Sequence, residues 1–320
     1  MKVIYKLAFG LLFSTLVFLP LAAQASCGGA FCSLNSDWDI QGVASKPGVR
    51  LDIRAEFIDQ DQLRSGAHKA APAGEVDEHD EVRTINRNLL ATLDWNINAD
   101  WGITFKVPLV SRAHNHIFNK DDGFGGVDPE TENWNFSGIG DVQALARYRF
   151  YNDTHANAGV RFGLKLPTGS IHKRNTEEAA ERTLQPGSGS VDSLLGAYYN
   201  HHDGNVGWFA QGIWQQTISD RDNFKPGRKL SADVGLSYKV TPDFSVMLQI
   251  NAQHKARDSG ANAEPADSGG YTISVSPGAS YRLTSSTSMY GFVQKPLVQQ
   301  VNGAQLTPDW SLAIGIATAF

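Results

Sequence analysis

The feature that most constrains this chain is an alternation of apolar and polar residues that starts near residue 49 and recurs to the end. In the first such segment Val49, Leu51, Ile53, Ala55 and Phe57 alternate with Arg50, Asp52, Arg54 and Glu56. Successive side chains of a β-strand point to opposite faces of the sheet, so one face here is apolar and the other is charged. The pattern predicts strands whose two faces lie in different media.

Twelve segments show this strand-like character, and most are longer than the five or six residues usual in globular proteins. They are residues 49–62, 83–98, 101–117, 137–151, 157–170, 191–201, 206–218, 230–240, 243–256, 271–284, 287–300 and 311–320.

The links between these segments alternate in length. Short links lie at 99–100, 151–156, 202–205, 241–242 and 285–286, and long polar links lie at 63–82, 118–136, 171–190, 219–229, 257–270 and 301–310. Short periplasmic turns and longer external loops are typical of outer-membrane barrels, and aromatic residues near the strand ends would form the interfacial girdles. We predict an all-β, antiparallel, up-and-down transmembrane β-barrel of about 12 strands over residues 49–320, with both ends on the periplasmic side.

The first residues indicate export. Lys2 and Lys6 precede an apolar run from Leu7 to Leu21, and Ala23 and Ala25 are small residues suited to a cleavage site. This pattern predicts a cleaved signal peptide over residues 1–25. No later stretch approaches the roughly 18 consecutive apolar residues of a spanning helix. The mature chain is therefore expected to be periplasmic or a barrel, and the alternation favours the outer membrane of a Gram-negative bacterium.

Residues 26–48 are glycine-rich and do not resemble a barrel strand. Cys27 and Cys32 are the only cysteines, and an oxidising compartment favours a disulfide between them. A redox or metal-binding pair and a lipid-modified Cys27 are the alternatives. The segment is expected to lie in the periplasm or to enter the barrel as a plug.

The predicted inward face carries charges of both signs. The basic residues are Arg50, Arg54, Lys106, Arg147, Arg149, Arg161, Lys165, Lys239 and Arg282, and the acidic ones are Asp52, Glu56, Asp94, Asp141 and Asp233. They would form a salt-bridge network that narrows the barrel, a polar translocation path, or both. The excess of basic residues favours anions if the lumen contains water.

Chemistry other than transport has weaker support in the sequence. His68, His79, His116 and His172, with Asp77, Glu78, Asp80, Asp121 and Asp122, fall in or beside predicted long loops, and His114 and His116 share one strand face. Such residues could bind a metal ion, but exposed histidines are commonly only solvated, so we expect no metal and no cofactor. No His-x-Ser pair occurs, so no catalytic residue and no enzyme activity are predicted. The mildly acidic chain has no basic run that would suit nucleic acid. Asn175 and Glu178 predict a short external helix within 171–190.

Two adjacent segments resemble a known family. Ser137-Gly138-Ile139-Gly140-Asp141-Val142, followed by Ala146 to Phe150 and then by Gly159 to Ser170, is similar to consecutive strands of the meta-pathway phenol-degradation family of outer-membrane proteins. This resemblance implies a transporter-like barrel, and it assigns no functional residues.

These observations together predict a monomeric channel or transporter in outer-membrane lipid for a small solute, such as an aromatic or anionic organic compound. The alternative is a non-transporting surface or scaffold barrel whose loops bind a partner or a metal.

Overall fold

A computed structural model describes residues 26–27, 33–36, 47–76, 79–176 and 178–320. The predicted signal peptide and Cys32 lie outside these residues, and Cys27 is described only in its backbone, so the structure does not test the disulfide. Among the described residues, no helix is long and apolar enough to cross a membrane.

The described chain contains fifteen β-strands. They are β1 (Ser26–Cys27), β2 (Gly48–Ser65), β3 (His68–Lys69), β4 (His79–Asn96), β5 (Trp101–Asp121), β6 (Val127–Ile139), β7 (Val142–Asn152), β8 (Ala156–Leu166), β9 (Val191–Asp203), β10 (Val206–Ser219), β11 (Lys229–Lys239), β12 (Phe244–Lys255), β13 (Gly270–Arg282), β14 (Thr287–Val301) and β15 (Ala304–Ala319).

Twelve of these strands form a closed antiparallel barrel, which confirms the predicted fold class. The order around the barrel is β2, β4, β5, β7 and then each later strand to β15, which pairs with β2 and closes the sheet. Closure leaves no strand with an unpaired edge along its whole length. Of the other three strands, β1 pairs in parallel with β15 while β3 and β6 extend hairpins.

The two faces of the barrel reverse the arrangement of a soluble protein. Val234 is 55% exposed, whereas its neighbour Asp233 is 4% exposed. Other apolar side chains are exposed in the same way, namely Leu51, Leu93, Leu164, Leu248 and Ile314. An apolar exterior and a polar interior are the arrangement that a membrane barrel requires.

The predicted loop 118–136 is wrong, because the chain continues there as a β-hairpin. Residues 109–121 of β5 pair with β6, and residues 101–106 of β5 pair with β7. At the hairpin tip Asp122 Oδ1 accepts backbone hydrogen bonds from Phe124 and Gly126, both at 2.8 Å. Outward residues of this hairpin are largely polar, as at Asn115 and Asn133. Polar residues on both faces conceal the alternation on which the sequence analysis depended.

Two further predictions, both for external loops, are wrong. The link 301–310 is a tight turn at Asn302 and Gly303, where Gly303 has a φ of 59° that a residue with a side chain rarely adopts.

The predicted helix within 171–190 is also absent from its described residues. Asn175 Oδ1 does accept the backbone N–H of Glu178 at 2.7 Å, as the capping pattern implied. However, the chain then turns back through a β-bridge between Arg174 and Ala179.

This loop folds inward over the external mouth of the barrel. Ala180 and Leu184 pack in one apolar cluster with Leu63, Trp134 and Leu306 from β2, β6 and β15. The Gln185 amide holds the loop by bonding to the backbone of Lys173 and Ala180. Apolar burial therefore decides the loop conformation, and it outweighs the local helix signal.

Candidate functional site

The interior of the barrel contains the charged residues that the alternation placed on the inward face. Asp52, Arg54, Glu56, Asp94, Arg147, Arg149, Arg161 and Lys165 are buried, and Arg50 and Asp141 are half-buried. Asp141 lies between β6 and β7. The positions of the others follow from the strand period, because each is next to an exposed apolar residue.

Charged and polar partners surround these groups near the periplasmic end. Arg54 forms a 2.9 Å ion pair with Glu56, and the Tyr290 hydroxyl donates to Asp52 at 3.0 Å. Asp94 accepts a 2.6 Å hydrogen bond from Thr104. Buried charges need such partners because desolvation is costly.

A concentration of arginine lies on β7 and β8. Arg147 and Arg161 are directly opposite each other across these two strands, and both are almost fully buried. Arg147 donates to Asn96 and lies over Gly102, where an added Cβ would come within 2.7 Å of the guanidinium. Arg149 donates to the backbone carbonyl of Ala99 at 2.9 Å.

A second charged group lies toward the external end. Lys165 forms ion pairs of 2.8 Å with Asp192 and 3.3 Å with Asp141. Asp192 also accepts hydrogen bonds from Gln215 at 2.5 Å and Thr217 at 3.0 Å. The charges of Lys106, Lys165 and Lys255 all act on Lys229, together with that of Asp192.

The sequence analysis missed three of these interior groups and misplaced two others. Asp192, Lys229 and Lys255 are within one residue of a strand end, so the alternation gave little sign of their orientation. Lys239 and Arg282 are exposed at the periplasmic ends of β11 and β13, where Arg282 lies 3.9 Å from Asp243. Their predicted inward position is wrong because the strands end there and the side chains reach solvent.

Among the charged groups described above, nine basic residues face six acidic ones. The basic residues are Arg50, Arg54, Lys106, Arg147, Arg149, Arg161, Lys165, Lys229 and Lys255, and the acidic ones are Asp52, Glu56, Asp94, Asp141, Asp192 and Asp233. Further buried charged residues lie toward the external end and are mainly acidic, namely Glu81, Arg112, Asp258 and Asp267.

Residues 33–36 lie inside the barrel, among these groups. Asn35 donates its backbone N–H to Gln249 Oε1 at 3.3 Å, and its carbonyl accepts a hydrogen bond from Gln249 Nε2 at 2.9 Å. Gln294 Oε1 accepts the backbone N–H of Ser33 at 3.3 Å, and Gln294 Nε2 donates to Ser33 Oγ at 3.1 Å.

The side chains of this segment add further contacts. Arg54 donates to Ser36 Oγ at 2.6 Å. Leu34 is buried in a cluster with Met247, Tyr290, Phe292, Ala313 and Ala317. The small residues of β15 thus leave space that Leu34 occupies.

Acidic groups converge in the external loops. Burial, followed by the charges of Glu81, Glu264 and Glu178, raises the pKa of Glu181 well above its usual value. Burial and the charges of Asp267 and Asp258 raise the pKa of Glu264 to about 7. Like charges held close together disfavour ionisation in both cases.

Comparison with known proteins places this barrel in a family. The family model described as "Putative MetA-pathway of phenol degradation" matches residues 92–305, about two thirds of the chain. The chain belongs to this family. The match covers β5 to β14 and includes the segments on which the sequence resemblance depended, so that resemblance is confirmed.

Comparison with solved structures shows the same fold. The chain is similar to the COG4313 outer membrane channel from Pseudomonas putida F1, with a TM-score of 0.62 and 16% identity over 87% of this chain and 97% of that one. A weaker similarity joins it to the Ralstonia pickettii toluene transporter TbuX, with a TM-score of 0.47 and 8% identity over 86% and 90% of the two chains. No curated protein sequence matches the chain.

This family member is thus an outer-membrane β-barrel, as predicted. The apolar exterior of its strands faces lipid, and the charged groups described above lie on the inner face of the barrel.

Proposed function

We propose that this barrel is a channel that carries a small anionic solute, including anionic organic compounds, through a cationic interior. The observation that carries the proposal is the direct opposition of buried Arg147 and Arg161 on neighbouring strands. Like charges placed directly opposite each other destabilise a sheet, so this register places two cations on one part of the inner wall at an energetic cost. A passing anion would be stabilised by both guanidinium groups.

The other interior charges extend this environment toward the outside. Lys106, Lys165, Lys229 and Lys255 lie on β5, β8, β11 and β12, near the external ends of the last three. An anion that enters from outside would therefore meet these lysines and Arg112 of β5 before it reached the arginines of β7 and β8. The similarity of the fold to an outer membrane channel supports a channel role. A closed sheet without a free edge is consistent with a monomer.

The segment at 33–36 would set the width of the path. Its hydrogen bonds to Gln249 and Gln294 hold it against β12 and β14, away from the arginines of β7 and β8. A path along β5 to β8 would pass beside the segment, which acts as a partial plug in this proposal.

The second candidate is a scaffold barrel that does not conduct. The polar network of the interior and the inward-folded loop with Ala180 and Leu184 favour it, because both reduce the open cross-section.

Planar-bilayer recordings of the refolded full-length protein separate these candidates. The reversal potential is measured across a gradient of potassium chloride, and the proposal predicts a sign that corresponds to chloride preference. Benzoate in place of chloride then tests an organic anion. Cation preference contradicts the anionic path, and the absence of any conductance from folded protein supports the scaffold.

A further inference from the structure

A cluster of histidines and glutamates lies at the external end of the barrel, away from the arginine pair. It is formed by β4, the β5–β6 hairpin and the loop after β8. Leu109 and Ile139 are exposed apolar residues lower on this hairpin, whereas Ser137 and Asn135 face outward above them. The cluster therefore stands above the apolar band that contacts lipid.

Four side chains in this cluster converge on one point. His79, His116, Glu132 and Glu178 each provide one ligand atom, and these atoms all lie within 4.8 Å of one another. Glu132 Oε2 is 2.6 Å from His116 Nε2 and 3.8 Å from His79 Nε2. The strand register accounts for part of this arrangement, because His116 is directly opposite Glu132 across β5 and β6.

The surroundings of these four groups have the character of a built site. A cavity of about 100 Å³ is lined by His79, His116, Glu178 and Glu181, together with Trp134, Ala179 and Leu184. The Trp134 ring packs against the imidazole of His116 at a centroid distance of 4.5 Å. The His116 ring is buried with its Nε2 beside Glu132, while its other nitrogen, Nδ1, has no hydrogen-bond partner among the described residues. The cavity has room for an ion and its water.

A second set of ligands shares His116. Glu81, His114 and His116 also bring their ligand atoms within 4.8 Å of one another. Thr84 Oγ1 lies 2.8 Å from His114 Nδ1, and His114 Nε2 lies 3.7 Å from Glu81 Oε2. A hydroxyl that orients one ring nitrogen while the other faces the ligand group is a common outer-sphere arrangement at metal centres.

The charge of the cluster is mainly negative. The carboxyl groups of Glu81, Glu132 and Glu178 lie beside the imidazoles, and the Glu181 side chain lines the same cavity. Arg112 donates to Asn86 and to the backbone carbonyls of Thr183 and Leu184, and its positive charge also acts on His114 of this cluster. A bound divalent cation would be the largest local charge in such a site and would offset the repulsion between these carboxyl groups.

We propose that His79, His116, Glu132 and Glu178 bind a divalent transition-metal ion of the Zn²⁺ class at the external mouth of the barrel. Two imidazoles and two carboxylates suit zinc, whereas calcium and magnesium prefer oxygen ligands alone. Tetrahedral zinc places its ligand atoms about 3.4 Å apart, so the observed separations require shifts of roughly 1 Å. Zinc would replace the direct contact between His116 Nε2 and Glu132 Oε2. Because Glu178 belongs to the loop after β8, the ion would join this loop to the hairpin. The site goes beyond the proposed channel function and does not depend on it.

Isothermal titration of zinc chloride into tag-free, full-length protein in detergent tests the site. The wild type should bind one zinc ion, and His79→Ala and Glu178→Gln should each weaken binding at least roughly tenfold. His172→Ala provides the matched control, because His172 is exposed in the same loop as Glu178 and should leave the affinity unchanged. Heat-modifiability in gel electrophoresis checks that each barrel is folded, and both test positions lie outside the apolar band.

Hydrogen exchange provides a second readout that does not depend on the heat of binding. Zinc should slow exchange of backbone amides in residues 174–184 of the wild type but not of Glu178→Gln. Failure of the folded wild type to bind zinc would overturn the proposal. Equal affinities in the wild type, His79→Ala and Glu178→Gln would also overturn it, because the zinc would then be bound elsewhere.

Discussion

Arg147 on β7 and Arg161 on β8 lie directly opposite each other inside the barrel, 5% and 2% exposed respectively. Replacement of both by glutamine should reduce the preference for anions, because it removes two positive charges from the proposed path. Reversal potentials across a salt gradient measure this preference, and the change should be larger at low ionic strength, where screening is weak. Arg282→Gln is the control, since Arg282 is exposed at the periplasmic end of β13. An unchanged reversal potential in the double variant would remove these arginines from the path.

Gln249 and Gln294 hold residues 33–36 against the inner wall through two-sided hydrogen bonds. Replacement of both by alanine should loosen the segment and raise the single-channel conductance. Gln211→Ala serves as the control, because Gln211 also lies on the inner wall but bonds to Asp233 instead. If the control raises conductance as much as the double variant does, the effect comes from lost side-chain volume and not from release of the segment.

Val234 is at the centre of β11 with its side chain on the lipid-facing exterior. Val234→Arg should lower the free energy of unfolding by roughly 2–4 kcal/mol, because a charge at mid-membrane depth is poorly solvated. Val240→Arg, just beyond the end of the same strand, should cost only about 0–1 kcal/mol. Urea unfolding in lipid vesicles gives both values. Equal costs at the two sites would contradict the assigned depth of β11.

Glu264 lies in the loop between β12 and β13, where its pKa is raised from 4.5 to about 7. A raised pKa in the folded loop means that the protonated form is favoured there. Protonated Glu264 therefore stabilises the folded loop. This stabilisation is fully present below pH 4.5 and is lost as the pH rises through about 7. The charges of Asp258 and Asp267 act on Glu264, and the charge of Glu264 acts in turn on Glu181. Lys255 pairs with Asp258 at 2.8 Å. Hydrogen exchange of residues 257–270 should become faster over this interval, after correction for the intrinsic effect of pH.

Glu264→Gln should abolish this acceleration, since an amide does not ionise. Glu75→Gln, at an exposed position in another external loop, should leave it unchanged. Persistence of the transition in Glu264→Gln would assign it to other carboxylates.

Phe124 is 96% exposed at the tip of the β5–β6 hairpin, and Asn205 is exposed in the turn between β9 and β10. Single cysteines at these positions, in a background with serine at 27 and 32, should react differently with an impermeant maleimide on intact cells. Position 124 should be labelled, and position 205 should react only after the outer membrane is opened. Labelling of position 205 on intact cells would invert the orientation.

The barrel itself was predictable because strand alternation is a local property. A residue such as Val234 and its neighbour Asp233 need no distant contact to reveal their faces, since lipid and the lumen make opposite demands on them. Prediction failed where the chain leaves the membrane. Around Asn115 and Asn133 both faces of the hairpin are polar, and at Lys239 the end of the strand frees the side chain from its face.

The sequence alone predicted the export signal. It also determined the strand period, the family resemblance and most of the inward charges. Only the tertiary structure decided which of those charges meet. The opposition of Arg147 to Arg161 depends on the register of two strands, and the convergence of His79, His116, Glu132 and Glu178 depends on three strands and a loop. The reason is physical: alternation fixes the face of a residue within its own strand. The height and neighbours of that residue are set by pairing between strands and by burial of loop residues such as Leu184.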